Sequence, residues 1–245
     1  MTQKTSFSTF MWFLMIFVLF TACWGRHLEV ESISKTEHPQ QLINQLDNDV
    51  AIARNENINV LSPTWFAKAE SSLNEARRLL EEGAELSKIF DEIATSRAEL
   101  NQAQKIAEVS KVTLADTIQG RDLARKAGAA ALGKDYQEAE EGFLDLSRAI
   151  EEENLRYAQR NQAAVTEQFR QLEIRAIKIR TIGEVRNLLR AAEKQKSDKI
   201  APESYAAAKN KLVEADTFIT ENPYQKEQMS SLANEALFLA RRHME

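Results

Sequence analysis

The sequence predicts an all-α fold made of elongated helical hairpins, an antiparallel coiled-coil bundle with long helices. Only 7 Gly and 4 Pro occur among 245 residues, and 28% of the residues are charged, so the residues that sheets and tight turns need are scarce. Apolar residues recur at spacings of three and four along most of the chain. One helical pattern also occurs twice, near residue 62 and near residue 201.

The first element is an apolar run over residues 10–23 that ends in the only cysteine of the chain. Lys4 precedes it without any acidic residue, and the small residues Thr21 and Ala22 stand directly before Cys23. This arrangement resembles a bacterial lipoprotein signal peptide over residues 1–22, with Phe20 in place of the usual Leu. The resemblance implies cleavage between Ala22 and Cys23, and a diacylglycerol and an N-acyl chain (palmitate) on Cys23. Several acyl chains together anchor a protein stably, because each buried methylene contributes about 0.8 kcal/mol.

The same run is also long enough for an uncleaved signal anchor. From Phe7 to Trp24 only Ser8 and Thr21 have polar side chains, so a helix of this length would span a bilayer. Trp24 is not the Asp that marks inner-membrane retention in many Gram-negative bacteria, so the lipoprotein resemblance implies the outer membrane, facing the periplasm. The anchor alternative implies the inner membrane. In both interpretations the rest of the chain lies outside the cytoplasm.

Residues 23–60 are predicted to form a lipid-anchored tether followed by a short helix. Gly25, Pro39 and several hydroxyl residues interrupt the first part of this segment. The second part has a brief helical pattern, carried by Leu42, Ile43, Leu46, Val50 and Ile52.

The repeat then defines two helical hairpins, at 61–120 and at 197–245. Residues 62–76 align without a gap on residues 201–215, and the second hairpin repeats 61–106. The shared positions lie on one helix face: Phe66, Ala69, Leu73, Ala76 and Leu80 align with Tyr205, Ala208, Leu212, Ala215 and Ile219.

The ends of the repeated helices are also marked in the sequence. Pro63 and Pro202 suit the first helical position, where a missing N–H group has no consequence. Ser62 is expected to cap the first copy. After the turn at Gly83, the helix is expected to continue to Gly120 along a seam of small and apolar residues. Such a seam packs weakly alone and predicts a partner helix, either in the same chain or in a second copy of it.

The middle segment, 121–196, is predicted to hold a hairpin similar to a tetratricopeptide repeat, followed by a long helix. The spacing that resembles this repeat, with a turn near Gly133, is formed by Leu123, Ala127, Tyr136, Ala139 and Phe143. These five residues are the candidate partner-binding residues. Because no strong helix breaker occurs between Asp135 and Ser197, an unbroken helix of about 90 Å is expected there.

A signal of this type followed by Ala-rich helical hairpins resembles the helical, coiled-coil segments of Gram-negative envelope lipoproteins, including those that precede an OmpA-like peptidoglycan-binding domain. The resemblance covers residues 61–106 and 200–245 and rests on a packing motif. No OmpA-like domain is recognised in the sequence, so peptidoglycan binding by that route is not predicted.

The sequence predicts neither an enzyme nor a metal or cofactor site, apart from the covalent lipid on Cys23. His27, His38 and His243 are scattered, and no catalytic or nucleotide-binding motif occurs. A formal charge of −5 with interleaved acids and bases does not indicate nucleic-acid binding. The favoured function is a non-enzymatic periplasmic spacer or adaptor that holds a protein partner at the outer membrane. The alternatives are a peptide-binding module and a single-pass inner-membrane coiled-coil assembly protein.

Overall fold

A computed structural model gives an all-α fold, and it describes residues 28–33 and 38–245. Within these ranges no strand occurs, as the composition predicts. A single 3₁₀ turn, Ala129–Leu132, accompanies the α-helices. The helices are α1 (Pro39–Asn55), α2 (Ile58–Leu61), α3 (Pro63–Glu81), α4 (Leu86–Thr113), α5 (Ala115–Ala127), α6 (Lys134–Glu151), α7 (Leu155–Lys194), α8 (Ser197–Ile200), α9 (Pro202–Glu221) and α10 (Lys226–Met244).

The predicted signal peptide over residues 1–22, the lipid-bearing Cys23 and the alternative signal anchor lie outside the described residues. Among the helices of the described part, none is both long and apolar enough to cross a membrane.

Helices α1 to α4 form the first unit. Helix α3 packs against α4, and α1 packs against both of them. The helix predicted before residue 60 is therefore present, and it belongs to the core of the first unit. The predicted stripe on α3 is confirmed as an inner face, because its first four members are buried: Phe66, Ala69, Leu73 and Ala76.

The second unit repeats this arrangement with the C-terminal half of α7 in the place of α1, followed by α8, α9 and α10. Helix α9 packs against α10, and α7 contacts both. The alignment that pairs Pro63 with Pro202 also pairs the buried residues of α1 with buried residues of α7: Ile43 with Ile182, Leu46 with Val185, Val50 with Leu189, and Ala53 with Ala192. The repeat therefore begins well before residue 62.

The same corner leads into the Pro-initiated helix of each unit. In the first unit, Asn57 has a left-handed backbone with φ of 63°, and the one-turn helix α2 leads to Pro63. In the second unit, Lys196 has φ of 59°, and α8 leads to Pro202. Both prolines stand at the start of their helices, as predicted.

The N-terminus of α3 is capped by a residue from another helix. Ser62 occupies the N-cap position, but its hydroxyl does not accept a hydrogen bond from α3; it donates one of 2.8 Å to Glu151 at the end of α6. The Glu151 carboxylate also accepts hydrogen bonds from the backbone N–H groups of Thr64 (3.0 Å) and Trp65 (3.0 Å). Ser62 therefore stands at the predicted N-cap position, but Glu151 accepts the hydrogen bonds from the start of α3 and fixes α6 to the first unit.

The helix after Gly83 does not run on to Gly120. It ends at Thr113, and α5 begins at Ala115 after a change in backbone direction at Leu114. Gly120 lies inside α5 where it packs on α7, and a Cβ atom there would lie 3.6 Å from the carbonyl oxygen of Thr166. Gly120 thus lies within a helix instead of ending one, and a Cβ atom there would meet α7 at ordinary contact distance.

The predicted unbroken helix of about 90 Å is also wrong. The chain reverses after Glu151, where Glu153 has a positive φ of 62°, and α6 and α7 pack against each other. Asn154 then caps α7 by accepting a hydrogen bond of 3.2 Å from the N–H of Tyr157. Helix α7 has 40 residues and a length of about 60 Å. Its first half packs against α5 and α6, in a core cluster that continues into the first unit, and its second half builds the core of the second unit.

Candidate partner-binding surface

Of the five candidate partner-binding residues, the structure buries two and leaves three partly exposed. Leu123 and Ala127 lie on α5, and Tyr136, Ala139 and Phe143 lie on α6, which begins directly after Gly133, close to the predicted turn. Ala139 and Phe143 are each only 1% exposed and belong to the core to which α7 contributes. Helix α7 packs against both α5 and α6, and Leu123, Ala127 and Tyr136 keep partial exposure.

A charged cluster that the apolar pattern did not reveal joins α5 and α6. Arg121 forms a two-point ion pair with Glu140, with Nε–Oε1 and Nη2–Oε2 distances of 2.9 and 2.7 Å. Its guanidinium group also lies 5.1 Å from the centre of the Phe143 ring, and the Tyr136 hydroxyl donates a hydrogen bond to Glu140. Because both charges are largely buried and satisfied by each other, the cluster holds the two helices together. In the sequence, the only indication of this cluster is that its charged residues stand close to the predicted apolar residues.

The environment of Tyr136 favours the protonated phenol. Burial of the ring is the larger cause, and the hydrogen bond to the Glu140 carboxylate adds to it; together they raise the pKa of Tyr136 well above its usual value. The Tyr136 ring also meets the Phe169 ring of α7 edge-on, with the ring centres 6.2 Å apart. Tyr136 therefore acts as a packing residue and a hydrogen-bond donor.

An open depression lies beside this cluster, between the start of α6 and the middle of α7. Its volume is about 270 Å³, at the lower limit for sites that hold small molecules. An ion pair between Asp135 and Arg175 crosses it. Of the five candidate residues only Ala139 borders it, and the lining is mainly polar: Asp135, Glu138, Ala139, Gln168, Gln171, Leu172 and Arg175.

The second unit carries large apolar side chains on its surface. Val213 on α9 is 57% exposed and Phe238 on α10 is 64% exposed. In the repeat alignment these positions hold Asn74 and Glu99, so the second unit has apolar groups where the first has polar ones. Exposed apolar groups of this size are typical of interaction surfaces when they occur together. This difference is visible in the sequence, but only when the two copies are compared at positions that do not belong to the buried stripe.

The histidines and acidic residues of the described part do not assemble into a metal site: no group of three or more His, Cys, Asp or Glu side chains is placed to hold an ion there. His243 is buried, and its ring nitrogens lie 3.1 Å from the Ser197 hydroxyl and 2.8 Å from the Ser204 hydroxyl. This contact fixes the end of α10 to the corner before α9. His38 stands directly before α1, and His27 lies outside the described residues.

No protein-family model, no curated protein and no solved structure matches this chain.

Proposed function

We propose that the protein is a non-enzymatic envelope lipoprotein that acts as a periplasmic spacer or adaptor and holds a protein partner at the outer membrane. The observation that carries the proposal is the apolar run over residues 10–23, which ends in Thr21, Ala22 and the lone Cys23. A lipid on Cys23 would tether an all-α chain whose charged, solvated helix faces carry no sign of catalysis.

The dimensions of α7 support a spacer. A compact globule of about this chain length has a radius of gyration near about 17 Å, corresponding to a diameter of roughly 45 Å. Helix α7 alone extends about 60 Å and carries the second unit on its C-terminal half. Small-angle scattering should therefore give a radius of gyration well above 17 Å, and a value near 17 Å would contradict the spacer.

The partner is expected to bind the second unit. Val213 and Phe238 expose apolar area there, whereas Ala139 and Phe143 are covered by the chain itself. An adaptor of this form binds the membrane at its N-terminal end and its partner at the opposite end of the sequence.

Mass spectrometry of the N-terminus of the protein isolated from membranes tests the anchor. A diacylglyceryl and acyl modification on Cys23 is expected, and Cys23→Ser should retain the full N-terminus. An unmodified chain that begins at Met1 and is unaffected by Cys23→Ser would refute the lipoprotein and favour the inner-membrane alternative.

In-cell photocrosslinking tests the partner surface. A photoreactive residue at Val213 or Phe238 should capture one protein species, identified by mass spectrometry. Asn74 is the matched control, because it is exposed at the position of the first unit that aligns with Val213. Equal capture from Asn74 would refute the assignment to the second unit, and capture from Leu123 alone would favour the peptide-binding alternative on α5.

A further inference from the structure

The two units contain the same ion pair with reversed charges. In the first unit, Asp47 on α1 pairs with Arg77 on α3. The repeat alignment places Arg186 of α7 at the position of Asp47, and Asp216 of α9 at the position of Arg77, and these two residues also pair. The contact is conserved between the units while each partner has exchanged its sign.

A second aligned position shows the same reversal. Arg54 of α1 pairs with Glu70 of α3 and lies 5.0 Å from the centre of the Phe66 ring. The aligned residues of the second unit are Glu193 and Lys209, again with opposite signs. Glu193 accepts a hydrogen bond from the tyrosine that aligns with Phe66, and Lys209 lies 5.6 Å from the centre of that tyrosine ring.

The apolar faces of the two units cannot by themselves distinguish their partner helices. Their buried stripes align residue by residue, as Ile43 with Ile182 and Ala69 with Ala208 illustrate. Helix α1 could therefore bury a similar surface against α9, and the end of α7 could do so against α3.

We propose that the reversed charges determine which helix packs in which unit, so that α1 and the end of α7 do not exchange places during folding or between copies of the chain. Correct packing places opposite charges together at these positions. Exchanged packing would instead place like charges together at four contacts: Asp47 with Asp216, Arg77 with Arg186, Arg54 with Lys209, and Glu70 with Glu193.

The test reverses the four charges of the first unit so that they match those of the second unit, and it keeps the ion pairs within the first unit. The full chain with Cys23→Ser carries Asp47→Arg, Arg77→Asp, Arg54→Glu and Glu70→Lys. Every exchanged contact in this charge-reversed chain would then join opposite charges.

Two cysteine reporters distinguish correct from exchanged packing. Ala51→Cys on α1 is combined either with Asn74→Cys on α3 or with Val213→Cys, its aligned position on α9; all three residues are exposed. Each chain is refolded from urea, treated with a short bis-maleimide and analysed by gel electrophoresis, which separates crosslinks within one chain from those between chains.

Charge reversal should raise the yield of the exchanged crosslink, between positions 51 and 213, about tenfold over the chain with natural charges. The yield of the correct crosslink, between positions 51 and 74, should decrease to match. Adding Glu193→Lys and Lys209→Glu restores like charges at two of the exchanged contacts and should lower the exchanged crosslink at least threefold. An exchanged yield that is the same with natural and reversed charges, whether low or high, would overturn the proposal. So would an increase that Glu193→Lys and Lys209→Glu leave unchanged.

Discussion

Replacing Glu151 by Ala should destabilise the protein more than an ordinary substitution at the end of a helix. The carboxylate accepts hydrogen bonds from the Ser62 hydroxyl and from the backbone N–H groups of Thr64 and Trp65. Loss of a helix cap costs about 1 kcal/mol, and a buried group left without its partner costs about 1–3 kcal/mol. Because removal also relieves the burial of a charge, we expect a net loss of about 1–3 kcal/mol in the free energy of unfolding.

Urea unfolding followed by far-ultraviolet circular dichroism measures this loss. Glu152→Ala is the matched control, because Glu152 is adjacent but exposed, and its change should stay within about 0.5 kcal/mol. Glu151→Gln keeps an accepting oxygen without the charge and should give an intermediate loss. A double-mutant cycle with Ser62→Ala should give a coupling energy of at least about 0.5 kcal/mol. If Glu151→Ala and Glu152→Ala destabilise equally, the proposed cap is refuted.

Three further predictions concern packing and titration. Leu73→Ala should lower the free energy of unfolding by about 2–5 kcal/mol, because Leu73 is 2% exposed. Leu212→Ala should lower it clearly less, because Leu212 is only partly buried. Equal losses in urea unfolding would refute this difference. Gly120→Ala should be tolerated, because its Cβ atom would lie at ordinary contact distance from Thr166. Gly120→Leu should lower the thermal midpoint of unfolding by several degrees, because the larger side chain does not fit between α5 and α7. An unchanged midpoint for the Leu variant would show that the two helices are not held this closely. The hydrogen bond to Glu193 raises the pKa of Tyr205 to about 12, so its stabilising effect is present below about pH 10 and is lost as the pH rises through 12. Absorbance titration at 295 nm should show a transition near pH 12 that Tyr205→Phe removes; an unchanged titration would refute this assignment.

The helices and the buried stripes were predictable because they depend on local spacing and on scarce breakers. Pro63 and Pro202 marked two helix starts, and the stripe around Leu73 is buried as predicted. The extension of the repeat upstream was missed, although the alignment of Ile43 with Ile182 is visible once the offset is applied beyond residue 62.

Two helix breaks could not be predicted from helix-breaking residues, because neither uses Gly or Pro. The break before α5 falls at Leu114, a fully buried residue that fits a helical pattern. The break before α7 depends on the long-range contact of Glu151 with the start of α3, although Asn154 is a recognisable N-cap residue. Ala139 and Phe143 belong to a core cluster to which α7, far along the chain, also contributes, and spacing within α5 and α6 alone could not predict that cover.

The shared use of α7 determines where this chain can be divided. A cut near residue 177 would leave Ile182, Val185 and Leu189 with the second unit, because the core clusters divide at this point of α7. A cut after Lys194 would instead separate these three side chains from α9 and α10 and leave them exposed on the C-terminal half of α7. A cloning boundary at the end of α7 would therefore take from the second unit one of the helices that build its core, whereas a boundary near residue 177 would keep each set of core residues on one fragment.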